Sequence, residues 1–336
     1  MRIVTLIPDL VKGLPMRLHD FYKRFGILCE TPAIRRVLGH QAMRTPHAWG
    51  GTLNMIRHAW IARQLGADSV MATPSGKNTY GKTWGLFDLP YIRWESRRPD
   101  DICIIPDTMT ELIDECPGPC VAYLQVPIQL RADFDYMRDN VQLWTDSPHM
   151  LELAEKVYPG KEIPIVPNVI DDELFRFVPQ EEREEGLIFA FPRKGPEFIA
   201  DTRRHYREMG GRYWHFELID GLPLPVLARE FGRPQAFLAS GIIEGCALPP
   251  QESMASGVCV VGRNARGANF SMEHRKTAMI ANDAKHAAEC LMELEDLALR
   301  KSIAKNAHEF ISRYFTKNEP TEFWKKNLEH FSALAA

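Results

Sequence analysis

The chain of 336 residues lacks an excess of positive charge and lacks long hydrophobic runs. Lysine and arginine number 41 against 44 aspartates and glutamates, which gives a formal net charge of −3. Proteins that bind a polyanion usually carry a basic excess, so nucleic acid is not the expected partner. No apolar run approaches the roughly 20 residues that a membrane-spanning helix needs. With 45% hydrophobic and 25% charged residues, the composition predicts a globular chain of about two domains.

The seven cysteines are odd in number, so they do not form a complete set of disulfide pairs within the chain. Four of them lie within or beside apolar segments: Cys103, Cys120, Cys246 and Cys259. This usage favours reduced, mostly buried thiols in a cytoplasmic protein. No histidine, cysteine or paired-aspartate cluster has metal-ligand spacing, and the pair Cys116 and Cys120 lacks partner residues. We therefore expect no metal site.

Short β-branched or aromatic runs alternate with helical patterns along most of the chain, which predicts parallel sheets built from βαβ units. The predicted strands cover residues 2–7, 69–72, 102–105, 121–126, 142–144, 163–166, 187–191, 215–219, 236–239, 258–261 and 277–280. Apolar residues three and four apart predict helices over 52–65, 299–314 and 322–331. Eleven strands are more than a single sheet usually contains, so the sequence predicts two sheets. The proline-containing, acidic segment 167–185 is where we expect the linker between two domains.

The segment between the first predicted strand and Gly50 has no strand pattern. Its basic residues outnumber its acids and are spread out along it: Lys12, Arg17, Lys23, Arg24, Arg35, Arg36 and Arg44. Two interpretations stay open, and the spacing of the basic residues along the segment favours the first. The segment is a helical cap packed on the first domain, or it is an element that binds the acceptor or a membrane surface, with weak peripheral membrane association through residues 10–45.

Residues 76–83 match the phosphate-binding loop pattern G-x-x-x-x-G-K-[ST]. Such a loop holds phosphate when a strand precedes it and a helix begins at its lysine. A predicted strand does precede it, but Gly85 and Pro90 disfavour the helix. A polar glycine-rich loop is the favoured interpretation. A nucleoside triphosphatase or kinase that uses Lys82 and Thr83 is the alternative.

Residues 236–261 have the pattern of strand, loop, short helix and strand. Pro249 and Pro250 suit a first helical turn, where a missing N–H costs nothing. Gly257 suits the end of that helix. The loop 245–248 then presents backbone N–H groups and the positive end of a helix, which together favour a bound diphosphate.

One carboxylate precedes this loop and one follows it. Glu244 stands before the loop, and Glu252 is expected in the first turn of the helix. Both can accept hydrogen bonds from hydroxyls on either side of bound phosphates. A nucleotide sugar presents such hydroxyls on its sugar and on its ribose.

This segment resembles the E-x7-E signature of retaining glycosyltransferases with the GT-B fold, in particular glycosyltransferase family 4. The resemblance implies that Glu244 contacts the donor sugar and acts in catalysis, and that Glu252 binds the ribose. It also implies that the loop binds the donor through Gly245, Cys246, Ala247 and Leu248.

Two more segments resemble that family. Residues 167–171 are similar to the P-N-G-V-D segment that ends its N-terminal domain, with Val169 where glycine is usual. Arg193 and Lys194, followed by Gly195, resemble the basic pair that neutralises the donor diphosphate, although family members separate the two by several positions. The resemblance therefore implies catalytic roles for Lys194 and Arg193.

The first half of the chain also carries features of the family. Gly50 and Gly51 resemble the glycine pair that lets a ligand approach the backbone, which makes Gly51 a candidate donor-binding residue. Gln125 stands where many relatives carry a histidine near the donor sugar, and it could hydrogen-bond a sugar hydroxyl instead.

The resemblance implies an α/β protein of the GT-B class, with two Rossmann-like domains whose parallel sheets face each other across a cleft. The acceptor-side domain would span residues 1–172 plus 318–336, with the last helix crossing back to it. The nucleotide-sugar domain would span residues 173–317.

The implied activity is transfer of a sugar from a nucleotide-diphosphate sugar to an acceptor with retention of anomeric configuration. The implied enzyme is metal-independent, resembles hexosyltransferases and needs no cofactor beyond the nucleotide-sugar co-substrate. The acceptor would be a glycan, a lipid-linked sugar or a small molecule, in polysaccharide biosynthesis, in the cytoplasm or at the inner face of the membrane. The nucleotide base and the sugar stay open, and a catalytically silent GT-B binding scaffold is a second alternative.

Overall fold

The computed structural model describes residues 1–15, 17, 43–81, 87–130, 136–267 and 270–334. Its strands within these residues are β1 Arg2–Leu6, β2 Asp9–Leu10, β3 Arg44–Thr45, β4 Asp68–Thr73, β5 Tyr91–Arg93, β6 Ile102–Pro106, β7 Cys120–Leu124, β8 Val141–Thr145, β9 Glu184–Ala190, β10 His215–Leu218, β11 Pro234–Ala239, β12 Cys259–Arg263 and β13 Met279–Ala281. The α-helices are α1 Gly50–Gln64, α2 Pro148–Val157, α3 Pro196–Glu208, α4 Leu224–Glu230, α5 Leu248–Ala255, α6 Ala284–Glu293, α7 Leu297–Tyr314 and α8 Asn318–Leu334.

The first half of the chain forms a six-stranded sheet with the order β5-β4-β1-β6-β7-β8. Every neighbouring pair in it is parallel. The strands β6 and β7 are buried at each position. Strands covered on both faces are apolar throughout instead of alternating, which explains the continuous hydrophobic runs in the sequence.

The second half forms a five-stranded parallel sheet with the order β10-β9-β11-β12-β13. One hydrophobic core, which we name the shared core, includes Ile3 and Trp144 of the first half and Phe189 and Phe237 of the second. The two-sheet α/β architecture predicted from the sequence is confirmed. The two halves pack through a continuous interior.

Three strand predictions were wrong. Residues 163–166 form only an isolated bridge, in which Ile165 pairs with Thr145, because the chain leaves the sheet edge there. The segment before Gly50, predicted to lack strands, contributes the two-residue parallel pair of β2 and β3. The edge strand β5 was missed. The remainder of the basic segment, residues 16 and 18–42, lies outside the described residues.

The helix α5 follows its sequence pattern except in one detail. Pro249 and Pro250 lie in its first turn, and Gly257 after its end has φ of 82°, a left-handed conformation that a side chain would strain. The expectation that Glu252 lies in the first turn was wrong, because the helix begins at Leu248 and Glu252 falls in the second turn.

The last helix, α8, packs on the first half. Trp324 is fully buried, and its Nε1 donates to Nδ1 of His58 in α1 at 3.0 Å. The rings of Phe323, Trp324 and Phe331 have their centroids 4.9, 5.7 and 6.2 Å from that of Trp144 in β8. The helix therefore crosses from the second half of the chain back to the first sheet.

The two crossings between the halves run side by side, since the backbone N–H of Ile170 donates to the carbonyl of Phe315 at 2.6 Å. The boundaries at residues 172 and 318 stay predictions. In the part of the chain that the structure describes, no helix is long and apolar enough to cross a membrane. The six described cysteines carry free thiols.

Candidate functional site

A cleft of about 540 Å³ lies between the two sheets. The residues that follow the carboxyl ends of β6, β7 and β8 line it from one side, and those that follow β9, β10 and β11 line it from the other. Ligands of open parallel sheets bind at these strand ends. The cleft volume is in the range of a small-molecule site.

The basic residues predicted for the diphosphate lie at the second-half wall of the cleft. Arg193 Nε lies 2.5 Å from Oδ1 of Asp220, which follows β10. Lys194 Nζ pairs with Oε1 of Glu244. Gly195, with φ of 74°, turns the chain into α3 directly after these two side chains. The fold therefore brings the adjacent residues Arg193 and Lys194 to Glu244, although 50 positions separate Lys194 from Glu244 in the sequence.

Gly245 begins the loop between Glu244 and α5, and it touches the opposite half. A Cβ added at Gly245 would lie 2.0 Å from the carbonyl oxygen of Gln125 and 2.5 Å from Oδ2 of Asp146. A Cβ added at Gly267 would lie 1.7 Å from the carbonyl oxygen of Glu244. No larger side chain fits at either glycine without a backbone shift, so the loop is held closely on both sides.

The glycine pair at the start of α1 allows a similar approach. The Gln125 carboxamide lies against Gly51, where an added Cβ would be 2.8 Å from Oε1, and its Nε2 donates to the Gly51 carbonyl at 3.3 Å. Leu248 lies against Gly50. The predicted positions Gly51 and Gln125 thus meet at the cleft, together with Leu248 of the second half.

Glu252 lines the cleft and is only 3% exposed. Its Oε1 accepts a hydrogen bond of 2.8 Å from Nη2 of Arg57 in α1. Sequence reasoning missed Arg57, although its position offered a signal. It lies four residues after Leu53 and one after Ile56, on the apolar face of the predicted helix, where a charged side chain needs a buried partner.

The connecting segment between the halves is held by side chains from both. Asn168 Nδ2 donates to the carbonyl of Cys246 at 3.2 Å and to Oε1 of Gln251 at 2.8 Å. On the other side, Oδ1 of Asn54 in α1 accepts from the Val169 N–H at 2.8 Å. The loop 245–248 is thereby tied to the connecting segment, and the connecting segment is tied to α1.

Two carboxyl groups at the cleft were also missed. Asp107 Oδ2 accepts from the backbone N–H groups of Gln125 and Val126 at 2.7 and 2.8 Å, which fixes the turn after β7. Asp146 is 3% exposed, and its Oδ1 has no hydrogen-bond partner among the described residues. Burial raises the pKa of the Asp146 carboxyl well above its usual range, and the nearby Asp107 charge adds to this. Both aspartates follow the carboxyl ends of buried parallel strands, which is the signal that could have indicated them.

The described residues hold no group of three or more His, Cys, Asp or Glu side chains placed to bind a metal ion. The expectation of a metal-free, cofactor-free site stays a prediction that rests on the family resemblance.

The phosphate-loop alternative is not favoured by the part of the loop that the structure describes. Its lysine and threonine, Lys82 and Thr83, lie outside the described residues. Asp9 holds the residue before the loop, where its carboxylate accepts from the N–H and the hydroxyl of Ser75 at 2.9 and 2.7 Å. Within the loop, the N–H of Gly81 donates to Oδ1 of Asn78 at 2.9 Å. A carboxylate beside the loop repels a phosphate, and a backbone N–H that is already bonded is not available to one.

No known family profile matches this chain, and no curated protein sequence matches it. Solved structures do resemble it. Sucrose-phosphate synthase from Thermosynechococcus elongatus gives a TM-score of 0.66 at 13% identity over 99% of this chain and 100% of that one. HepE from Anabaena, in complex with UDP and glucose, gives a TM-score of 0.54 at 13% identity. That match covers 98% of this chain and 100% of HepE.

A TarM variant from S. aureus, in complex with fondaparinux, alpha-GlcNAc-glycerol and UDP, gives a TM-score of 0.58 at 11% identity. That match covers 69% of this chain and 56% of TarM, so the chain spans about half the length of TarM. The neighbours are GT-B glycosyltransferases. This likeness, with the two parallel-sheet halves around one cleft, confirms the predicted GT-B fold.

Proposed function

We propose that this protein is a retaining, metal-independent glycosyltransferase of the family 4 type. It would transfer a sugar from a nucleotide-diphosphate sugar to the hydroxyl of a glycan, lipid-linked or small-molecule acceptor. The observation that carries the proposal is the position of Glu244, Glu252 and Lys194 around one loop of one interdomain cleft. The complexes of TarM and HepE with UDP support a nucleoside diphosphate as the donor's leaving group.

The proposed roles follow the cleft wall. Glu252, at the nucleotide end, accepts hydrogen bonds from the ribose hydroxyls. The diphosphate and the donor sugar contact the loop formed by Gly245, Cys246, Ala247 and Leu248. Glu244 accepts a hydrogen bond from a hydroxyl of that sugar. Gly51 and Gln125 approach the donor from the first half.

Arg193 and Lys194 supply the positive charge that the leaving diphosphate needs as its negative charge grows. The bond from the anomeric carbon to the diphosphate oxygen breaks, and a bond from the same carbon to the acceptor oxygen forms on the same face. The acceptor's proton moves to an oxygen of the departing phosphate. Lys194 is paired with Glu244, so the positive charge and the proposed sugar-binding carboxylate lie next to each other at the cleft.

We also propose the domain division at residues 172 and 318, with the first half binding the acceptor. A cytoplasmic site of action in polysaccharide assembly, and contact of the segment 10–45 with a membrane surface, belong to the same proposal and follow from the family resemblance.

A donor screen followed by a turnover assay tests the function. We expect UDP, GDP or one of their sugars to raise the unfolding temperature, because a ligand at 100 times its dissociation constant adds about 2.7 kcal/mol. The bound donor should then be hydrolysed slowly and transferred to an acceptor. Binding without hydrolysis or transfer would indicate the silent scaffold, and ATP binding in place of nucleoside diphosphates and their sugars would contradict the proposal.

The two glutamates provide a paired test in the same assay. Glu252→Ala should weaken binding of the free nucleoside diphosphate by about 1.5–3 kcal/mol, because charge-assisted hydrogen bonds to the ribose are lost. Glu244→Ala should reduce turnover and leave the affinity for the free nucleotide nearly intact. The reverse pattern would show that the two roles are exchanged.

A further inference from the structure

Arg57 is a buried cation in the middle of α1. Its residue exposure is 1%, and its helix belongs to the first half of the chain. A buried guanidinium costs several kcal/mol of hydration that only well-placed partners restore. Its partners therefore indicate why the sequence retains it.

The partners of Arg57 lie on two other parts of the cleft. Nη1 donates to the carbonyl of Val169 in the connecting segment at 2.7 Å. Nη2 donates to Oε1 of Glu252 in α5 at 2.8 Å, and the two side chains are 2% and 4% exposed. One guanidinium thus fixes a first-half helix, the connector and a second-half carboxylate in one arrangement.

The hydrogen bond from Arg57 leaves one oxygen of the Glu252 carboxylate available to a ligand. Arg57 engages Oε1, whereas Oε2 of Glu252 has no hydrogen-bond partner in the described ranges. Glu252 lines the cleft, and an ionised carboxylate accepts several hydrogen bonds on its two oxygens. The bond to Arg57 sets the direction in which the remaining lone pairs of the carboxylate point.

We propose that Arg57 is the positioning residue for recognition of the nucleotide's ribose: it orients Glu252 across the cleft so that this carboxylate binds the ribose hydroxyls. The inference rests on the proposed function, in which Glu252 contacts the ribose. Arg57 itself touches no substrate. Because Arg57 belongs to the first half and Glu252 to the second, the affinity for a ribonucleotide depends on the packing of the two halves against each other.

The distinguishing measurement compares a nucleotide with its analogue that lacks ribose hydroxyls. We suggest calorimetric titration of the full chain with UDP and with 2′,3′-dideoxy-UDP, and with the corresponding guanosine pair if UDP does not bind. The wild type should prefer the ribonucleotide. In Arg57→Met this preference should fall about tenfold through weaker binding of the ribonucleotide, the effect of misplacing charged hydrogen bonds, while binding of the dideoxy analogue changes by less than about twofold.

Matched variants separate positioning from general damage. Arg63→Met makes the same substitution at an exposed position of the same helix and should keep the wild-type preference. Arg57→Lys retains a cation without the planar fork and should restore part of the preference. If Arg57→Met folds poorly because Glu252 is left unpaired, the double variant with Glu252→Gln removes that charge, and its preference should equal that of Glu252→Gln alone.

The outcomes distinguish failure of the ribose-binding role of Glu252 from failure of the positioning role of Arg57. If the wild type shows no preference and Glu252→Ala changes nothing, the ribose role of Glu252 fails and the inference fails with it. If Glu252→Ala abolishes the preference but Arg57→Met keeps it, the inference alone is overturned. Equal weakening of both nucleotides by Arg57→Met also overturns it, because that result indicates a purely structural residue.

Discussion

Lys194 and Lys82 are the two lysines on which the competing functions depend. Lys194 stands at the cleft beside Glu244, whereas Lys82 belongs to the phosphate-loop pattern. We expect Lys194→Ala to slow sugar transfer by about two to three orders of magnitude, the effect of removing one electrostatic stabiliser of a transition state. Lys82→Ala should change the rate little. The opposite order in steady-state assays of the two variants would favour the phosphate-loop function.

His58 is a buried residue whose two ring nitrogens have opposite roles. Nδ1 accepts from the Trp324 indole at 3.0 Å, and Nε2 lies 2.9 Å from the Pro167 carbonyl, to which it must donate. Both bonds are satisfied by the neutral ring. Burial lowers the pKa of His58 to about 4, and the nearby Arg57 charge adds to this.

This histidine predicts a dependence of stability on pH. Between pH 6.5 and about 4 the unfolded chain binds a proton that the folded chain does not, so stability rises with pH in this window and is lost as the pH falls through it. From pH 7 to 5 we expect a loss of about 2 kcal/mol from this residue, at 1.36 kcal/mol per pH unit below 6.5. Urea unfolding at both pH values measures it.

The control for this prediction is a second histidine. His58→Gln should flatten the dependence between pH 5 and 7, and His330→Gln, at an exposed position of α8, should retain it. An unchanged slope in His58→Gln would assign the acid sensitivity to other groups.

At the residue scale, the family resemblance selected side chains that lie in short local motifs. Glu244 and Glu252 flank one loop and Lys194 precedes a glycine, and all three line the cleft. Arg57 and Glu252 are 195 positions apart. Their pairing depends on how the halves pack, and no local pattern encodes that distance.

At the scale of elements, Trp324 tests how far α8 stabilises the protein. Its ring is fully buried against Trp144 and His58. Trp324→Ala should lower the free energy of unfolding by about 3–5 kcal/mol, the usual cost of truncating a large buried aromatic residue. Lys325→Ala, next to it but exposed and in a surface ion pair with Glu322, should change it by less than about 0.5 kcal/mol. Equal effects in denaturant titrations would contradict the packing described for this helix.

Long elements were predicted well and short ones were not. The buried strands β1, β6, β9 and β11 are runs of apolar residues that a sheet covered on both faces requires. The strands β2, β3 and β5 have two or three residues each, too few to show a period. Residues 163–166 are as apolar as a strand, but they form only an isolated bridge to Thr145 at the sheet edge. Hydrophobicity indicated their burial and could not indicate their pairing.

At the scale of the whole molecule, the shared core predicts one unfolding transition. Its buried residues come from both sheets and from α8, and two adjacent crossings join the halves at Ile170 and Phe315. Independent domains would unfold separately, whereas a continuous core transmits the loss of packing from one half to the other. Differential scanning calorimetry should give a single peak with equal calorimetric and van't Hoff enthalpies. Two resolved peaks would show that the halves unfold independently.

The crossing of α8 also has a consequence for synthesis on the ribosome. Trp144 and His58 emerge early, but the helix that covers them ends at residue 334. At 5–20 residues per second, the roughly 160 residues after position 172 take about 8–32 s to translate. During that time the nascent first half exposes an aromatic face that has no helix to cover it. This protein can therefore complete the packing of its first half only after its second half has been made.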